Sequence, residues 1–413
     1  MEKTYYSLKD FELSLGENAI ERANDFQQYI NQLKDFGCKS YWISSYTGIG
    51  PIMHIEGFNK PVIAFISNDY LGMSQREETK QAGIDAIKKY GTGACAAQVI
   101  GGYLDIHQQL EKEIASFVGQ EDAILFSSGF GANSGILRAL LGKNDIALID
   151  PYIHTSAMAG LKGTNIKRIG HNDLEYLEKT LKEVKDLYKT KLVIIDGVYS
   201  QDGDLSLLPE IISLCKAHDA MLMLDDAHGI GVMGASGRGT AEHYNCLGQI
   251  DIITGTFSKS FGCVGGFAAA SKRIIQYLKF YADSNVFSAA PTPQVTASIL
   301  KALEIMKEQP DIRLKLWENT NYLRKRLIEN RFDIGESVSP IFPIMVRDNK
   351  KVYEVAKMLQ ERGIFTIGIV YPAVRTKEAR LRVSVLATHS IKQLDALISA
   401  LNEINEIVKI KQE

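Results

Sequence analysis

The stretch Gly255-Thr256-Phe257-Ser258-Lys259-Ser260 follows an apolar run and sets one lysine among hydroxyls and small residues, with Gly262 and Gly265-Gly266 close behind. A lysine is ordinarily a solvated surface residue, but a nucleophilic amine needs desolvation and room for a planar adduct, which such a setting supplies. Thr256 and Ser258 are placed to hydrogen-bond a phosphate while Lys259 forms an imine with an aldehyde. Upstream, Leu224-Asp225-Asp226-Ala227-His228-Gly229 ends another apolar run in a carboxylate, with a histidine three residues on. That pair would pass as half of a metal site, yet no further His or Cys at ligand spacing accompanies it, and no metal is expected. Pyridoxal 5'-phosphate gives each residue a task instead. Asp225 keeps the pyridine nitrogen protonated, which makes the ring an electron sink, and His228 reaches the phenolic oxygen or the ring face. Asp226 is expected to point away, because neighbouring strand residues face opposite sides. Ser128-Gly129-Phe130 stands where a strand turns into a helix, and free backbone N–H groups with a positive helix end form a cup for a dianion. Glycine at such turns also serves packing alone, so the order of cup, aspartate and lysine carries more weight than the cup. His154, in Asp150-Pro151-Tyr152-Ile153-His154, is alone in its segment, and a lone histidine is more often structural. On the same rim as the others it can stack on the ring.

The elements that must position these groups repeat one theme from about Glu121 to Ala270. Apolar runs at Ala123–Phe126, Ile146–Ile149, Leu192–Ile195, Met221–Leu224, Ile250–Thr254 and Gly266–Ala270 alternate with helical patterns such as Leu174–Tyr188 and Leu208–His218. Buried strands alternating with helices predict an α/β fold whose largely parallel sheet is covered on both faces. In such sheets binding sites collect at the carboxyl ends of the strands, where Ser128, His154, Asp196, Asp225 and Thr256 all fall. A long helical pattern follows from Pro293, continuing to about Asn330, and the remainder reads as strand, helix, strand, strand and helix, a small α+β domain. Before Val62 stand a helix over Ile20–Asp35 and a hairpin-like stretch. The expected division is 1–61 as an N-terminal segment, 62–290 as a large cofactor domain and 291–413 as a small C-terminal domain.

Composition narrows the class. The 413 residues carry 47 basic and 49 acidic side chains with a net charge of −2, and no basic tract offers a footprint for nucleic acid. No apolar run approaches the roughly 18–20 residues that span a bilayer, and the first residues lack the pattern of a signal peptide. The five cysteines are scattered without a CxxC pair, which suits free thiols in a reducing compartment. A cytoplasmic enzyme is the expectation.

In this order the residues resemble the α-oxoamine synthases, within the aspartate-aminotransferase (type I) fold of pyridoxal-phosphate enzymes. The resemblance runs from about Ser40 onward. It rests on Ser67-Asn68-Asp69-Tyr70-Leu71-Gly72, Gly91-Thr92-Gly93, Leu104-Asp105-Ile106-His107, Asp196-Gly197-Val198-Tyr199-Ser200, Asp225-Asp226-Ala227-His228, the Lys259 block and Arg380-Leu381-Arg382. It implies a large domain with a mostly parallel mixed sheet between helices, a small C-terminal α+β domain, and a homodimer with shared active sites. It also implies that His154 stacks on the ring, that Ser200 and His228 sit near the phenolic oxygen, and that Gly129, Phe130, Thr256 and Ser258 bind phosphate. Ser288 would touch the partner's phosphate. Asn68 and Arg382 would bind substrate, Arg382 taking the amino-acid carboxylate as a bidentate partner; of Arg380 and Arg382, one is expected to face solvent or a structural carboxylate. The implied reaction is the decarboxylative condensation of an amino acid with an acyl-CoA to a 2-amino ketone.

Within the family, Gly255–Ser260, Ser339–Ile344, Gly363-Ile364-Phe365 and Tyr371–Val374 look like the serine palmitoyltransferases, which implies L-serine and a long-chain acyl-CoA. Ser67–Tyr70 looks more like the 8-amino-7-oxononanoate synthases, and Ile367-Gly368 with Tyr371-Pro372 like the 2-amino-3-ketobutyrate ligases. A cysteate acyltransferase is a further alternative. Where the family usually shows Gly-Ser-Arg or Gly-Thr-Arg, this chain has Ala96-Ala97-Gln98-Val99, which argues against a succinyl group. An apolar wall there suits a fatty chain, though Ala and Val are equally what a packed core wants. If the acyl chain is long, a peripheral membrane contact is expected. Two readings from other classes are an aminotransferase of the same fold and a non-catalytic scaffold subunit, the latter disfavoured by the presence of Lys259.

Overall fold

A computed structural model describes residues 5–12 and 18–411. Contacts divide the chain into two units, one of residues 68–316 and one joining 1–67 to 317–413. The two terminal segments share a unit because Val62–Ala64 pairs in parallel with Ile364–Phe365, and because Phe36 stacks on Tyr353 with ring centroids 5.0 Å apart. A division made along the sequence at 61/62 and 290/291 does not anticipate that pairing.

The larger unit is built on seven strands: β1 (Asp122–Phe126), β2 (Ile146–Ile149), β3 (Asn165–Arg168), β4 (Lys191–Asp196), β5 (Met221–Asp225), β6 (Ile252–Thr256) and β7 (Gly266–Ala270). Their order across the sheet is β1-β7-β6-β5-β4-β2-β3. β3, β2, β4, β5 and β6 run parallel, whereas β7 lies antiparallel to both its neighbours. β2, β4 and β7 are buried at every residue, so their apolar runs are continuous rather than alternating, as strands covered on both faces require. β3 was not expected: its Asn-Ile-Lys-Arg sequence is only half-buried or exposed, in keeping with its place at the edge. Helices such as Gly129–Leu140 and Leu208–Ala217 pack on this sheet, the first joining its apolar face to the core around Ile136, Ile194 and Ala268 and the second burying Leu208, Ile211, Ile212 and Cys215. The long helical pattern after residue 293 is two helices, Pro293–Glu308 and Pro310–Glu329. Pro310 can open a helix but cannot donate within one, and Gln309 before it is held at φ −122°, ψ 69°.

In the other unit, Ile341–Met345, Arg380–Ser384 and Ile367–Ile369 form an antiparallel sheet with Arg380–Ser384 in the middle. Helices Asn349–Glu361 and Ile391–Val408 bury Val352, Leu359, Leu397 and Leu401. His389, almost wholly buried, stacks on Phe65, accepts from Leu386 N–H at 2.9 Å and lies 3.1 Å from the Ala64 carbonyl.

Candidate active site

The carboxyl ends of the strands open onto one cavity of about 290 Å³ within the larger unit. Its floor is built from the ends of β5 and β6. Asp225, the last residue of β5, accepts from the Asn133 side-chain amide at 2.6 Å and from Ala227 N–H at 3.1 Å. Asn133 also donates to the Ser156 hydroxyl at 2.9 Å, and Ser156 lies 2.7 Å from His154 Nδ1. A chain of polar contacts therefore joins the His154 ring to the Asp225 carboxylate. Burial pushes the His154 pKa down; the Asp225 charge opposes this and Lys259 adds to it. Asp196, at the end of β4, is held well above the usual carboxylate range by burial and by repulsion from Asp225.

One side of the cavity is a cup. Ser128 caps the helix Gly129–Leu140 by accepting from Gly131 N–H at 2.9 Å, so the first N–H groups of that helix face the cavity without intrahelical partners. The Thr256 hydroxyl donates to the Gly265 carbonyl at 3.0 Å and lies 2.8 Å from the Ser258 hydroxyl. Backbone crowds this corner: a Cβ on Gly129 would stand 2.9 Å from Thr256 Cβ, and one on Gly266 would stand 2.6 Å from Gly129 Cα. Only glycine lets helix, β6 and β7 meet so closely. The cup offers N–H and hydroxyl donors with no carboxylate among them, a donor set that fits a phosphate dianion.

Lys259, Ser200, His228 and Phe130 border the same cavity. His228 Nδ1 lies 2.8 Å from the Tyr70 hydroxyl, which fixes its ring. Asp226 turns away from the cavity, accepting from Thr240 N–H at 2.7 Å and from its hydroxyl at 2.5 Å. Burial pushes the Asp226 carboxyl up to about 7 against those two hydrogen bonds.

Ten of the thirteen residues expected at the site thus border one cavity. Three do not. Ser288, on the segment after the short helix Asp283–Val286, is half-exposed outside it. Asn68 accepts from the Tyr70 hydroxyl at 3.3 Å and is not part of the lining. Arg382 belongs to the other unit, where it is buried on its strand and donates to the Ser384 hydroxyl at 2.9 Å. Neither arginine of its pair faces solvent: Arg380 is also buried, beside the Glu378 carboxylate. Asn133, Ser156 and Tyr70 escaped the site expected from sequence. Asn133 stands four residues after Gly129, one helical turn along the same face, which is the signal that could have found it. Val99 and Ile100 are exposed, so core packing does not explain the apolar Ala96–Ile100 stretch.

The aminotransferase class I and II family model matches residues 60–401. A serine palmitoyltransferase of Sphingobacterium spiritivorum is 40% identical over 393 residues, covering 95% of this chain and 98% of that protein. An 8-amino-7-oxononanoate synthase of Thermoanaerobacter pseudethanolicus is likewise 40% identical, over 395 residues, covering 95% and 100%. The chain belongs to the α-oxoamine synthase family. Its members are pyridoxal-phosphate-dependent acyltransferases of the class I and II aminotransferase fold. Among solved structures, the Sphingomonas wittichii serine palmitoyltransferase superposes with a TM-score of 0.91 at 28% identity, covering 96% of this chain and all of that one. A serine palmitoyltransferase solved with bound pyridoxal phosphate gives 0.90 at 28% identity, covering 95% and 100%. No helix among the described residues is long and apolar enough to cross a membrane.

Proposed function

We propose that this α-oxoamine synthase condenses L-serine with a long-chain acyl-CoA, releasing CoA and CO₂ and leaving a 2-amino ketone. The observation that carries the reading is the cavity itself, where Lys259, Asp225, His154 and the donor cup converge in a chain 40% identical to a serine palmitoyltransferase. The group that fits is pyridoxal 5'-phosphate. When bound, it supplies an electron sink conjugated to the substrate's α-carbon.

The chain's own residues do the rest. Lys259 would hold the cofactor through its amine and would serve as general base toward the substrate's α-proton. Asp225 would keep a proton on the ring nitrogen, and Asn133, hydrogen-bonded to it at 2.6 Å, would hold the carboxylate in line for that task. His154 would lie against the ring face; His228 and Ser200 would hydrogen-bond at the phenolic oxygen. Ser128 shapes the cup by capping its helix, Gly129 and Phe130 give N–H groups to the phosphate, and Thr256 and Ser258 give hydroxyls. Arg382 takes the amino-acid carboxylate and Asn68 lies on the substrate path, as the family resemblance implies. Ser288 reaches the phosphate of a second copy in a homodimer. A cytoplasmic location, with any membrane contact peripheral, accompanies this reading.

The equal identity to an 8-amino-7-oxononanoate synthase favours one second reading, alanine with a pimeloyl group. Thiol release measured for serine, alanine, glycine and cysteate against acetyl-, pimeloyl- and palmitoyl-CoA separates the two. Turnover with serine and palmitoyl-CoA is expected. Turnover confined to alanine with pimeloyl-CoA would replace the substrate assignment and keep the chemistry.

A further inference from the structure

Loops leave the carboxyl ends of the neighbouring strands β3, β2 and β4, and one side chain outside the cavity ties them together. His171, from the loop after β3, sets Nδ1 2.9 Å from Asp150 Oδ2 and Nε2 2.8 Å from Asp204 Oδ2. Asp150 opens the loop after β2 that carries His154. Asp204 closes the turn after β4 that carries Ser200, a turn pinned by Tyr199 N–H donating to the Asp204 carbonyl and by a bridge between Val198 and Leu205. The Tyr199 hydroxyl donates to the same Asp150 oxygen at 2.9 Å, and its ring meets His171 edge-on at 4.5 Å. Tyr152 covers another side of the imidazole at 4.7 Å, and the adjacent Asn172 donates to the Leu205 carbonyl at 3.0 Å.

The contacts are demanding. A neutral imidazole offers one N–H and one acceptor nitrogen, whereas two carboxylates ask for two donors. Asp150 is fully buried, and the second oxygen of Asp204, Oδ1, is buried with no hydrogen-bond partner. Burial opposes a charge on His171, but the hydrogen bonds to Asp150 and Asp204 outweigh it and raise its pKa to about 10. At neutral pH the ring is therefore a fixed double donor.

We propose that His171 is a positioning residue that clamps Asp150 to Asp204 and thereby sets His154 and Ser200 at their mutual spacing around the cofactor ring. The inference rests on the reading that His154 and Ser200 border that ring. A clamp of this kind acts on how firmly and in what orientation the ring is held, so its effect shows in binding before turnover.

The test uses the full-length protein titrated with pyridoxal phosphate, reading cofactor affinity, the visible circular-dichroism band of the bound ring and the melting temperature of the cofactor-free chain. His171→Gln is expected to weaken pyridoxal-phosphate affinity about tenfold and to diminish the visible dichroism, because charge-assisted contacts are lost. Asp204→Asn keeps an acceptor oxygen and the size of the turn, and serves if His171→Gln does not fold; its affinity is expected to fall between the two. Unchanged affinity and dichroism in the variants, even with a lowered melting temperature, would mark the clamp as structural alone and overturn the proposal. Absence of any visible band in the unaltered protein would instead overturn the reading of the cavity, and the proposal with it.

Discussion

On the proposed reading a single amine, that of Lys259, both anchors the cofactor and moves the α-proton, and alanine removes it. Lys259→Ala is expected to abolish turnover together with the visible absorbance of attached pyridoxal phosphate, which a spectrum and a thiol-release assay check on the same sample. Asp225→Asn keeps the shape of the side chain and removes its charge, so turnover is expected to fall on the order of 100-fold or more while cofactor is still bound. Arg382→Ala is expected to raise the KM for the amino acid by about 30-fold or more while the cofactor affinity is unaltered, in keeping with loss of a buried charge partner. Lys259, Asp225 and His154 were legible because each stands at or just beyond the end of an apolar run, where the strand delivers it to the rim. Tyr70 was not, because its partner His228 is 158 residues away along the chain, and Asn133 was marked only by its place one helical turn after Gly129, its partner Asp225 lying 92 residues on. Sequence order carries the side chains that a strand presents; it does not carry the side chains that meet them from another element.

Strands that are buried along their whole length could be read from continuous apolar runs, and β2 and β7 begin and end where those runs do. β3 could not, since an edge strand needs few apolar residues and Lys167 and Arg168 mask it. That strand is what brings His171 to Asp150, so the unread element carries the unread clamp. The break at Gln309 was legible in principle from Pro310, whose ring excludes it from a helix interior. Where elements pack backbone against backbone, a single methyl matters. Gly129→Ala would press a Cβ to 2.9 Å from Thr256. It is expected to cost about 1–3 kcal/mol of stability by overpacking and to weaken cofactor binding, measured by urea unfolding and by titration with pyridoxal phosphate.

For the whole molecule, two histidines act on stability from opposite ends of the pH range. His389 is buried neutral, and burial holds its pKa near about 4 against the hydrogen bonds to Ala64 and Leu386. The unfolded chain binds a proton there at about pH 6.5 and the folded chain does not until about 4, so stability falls as pH drops through that interval. His171 behaves in the reverse sense: its folded pKa of about 10 lies above the unfolded one, so its contribution is complete below about 6.5 and is lost as pH rises through 10. Melting temperature recorded across pH is expected to decline on both flanks. His389→Gln should make the acid flank shallower and His171→Gln the alkaline one, and a flank that keeps its slope would remove that histidine as its source.

The larger unit is one continuous stretch, 68–316, whereas the other needs both ends of the chain. Synthesis runs from the amino end, so the cofactor-binding unit can fold on the ribosome while residues 18–67 still lack the strands and helices they pair with. At roughly 5–20 residues per second, the closing stretch takes on the order of 5–20 s to emerge. Val62–Ala64 emerges about 300 residues ahead of Ile364–Phe365, so at that rate its edge stays open for on the order of 15–60 s, the stretch of synthesis in which it is most exposed to pairing with the wrong strand.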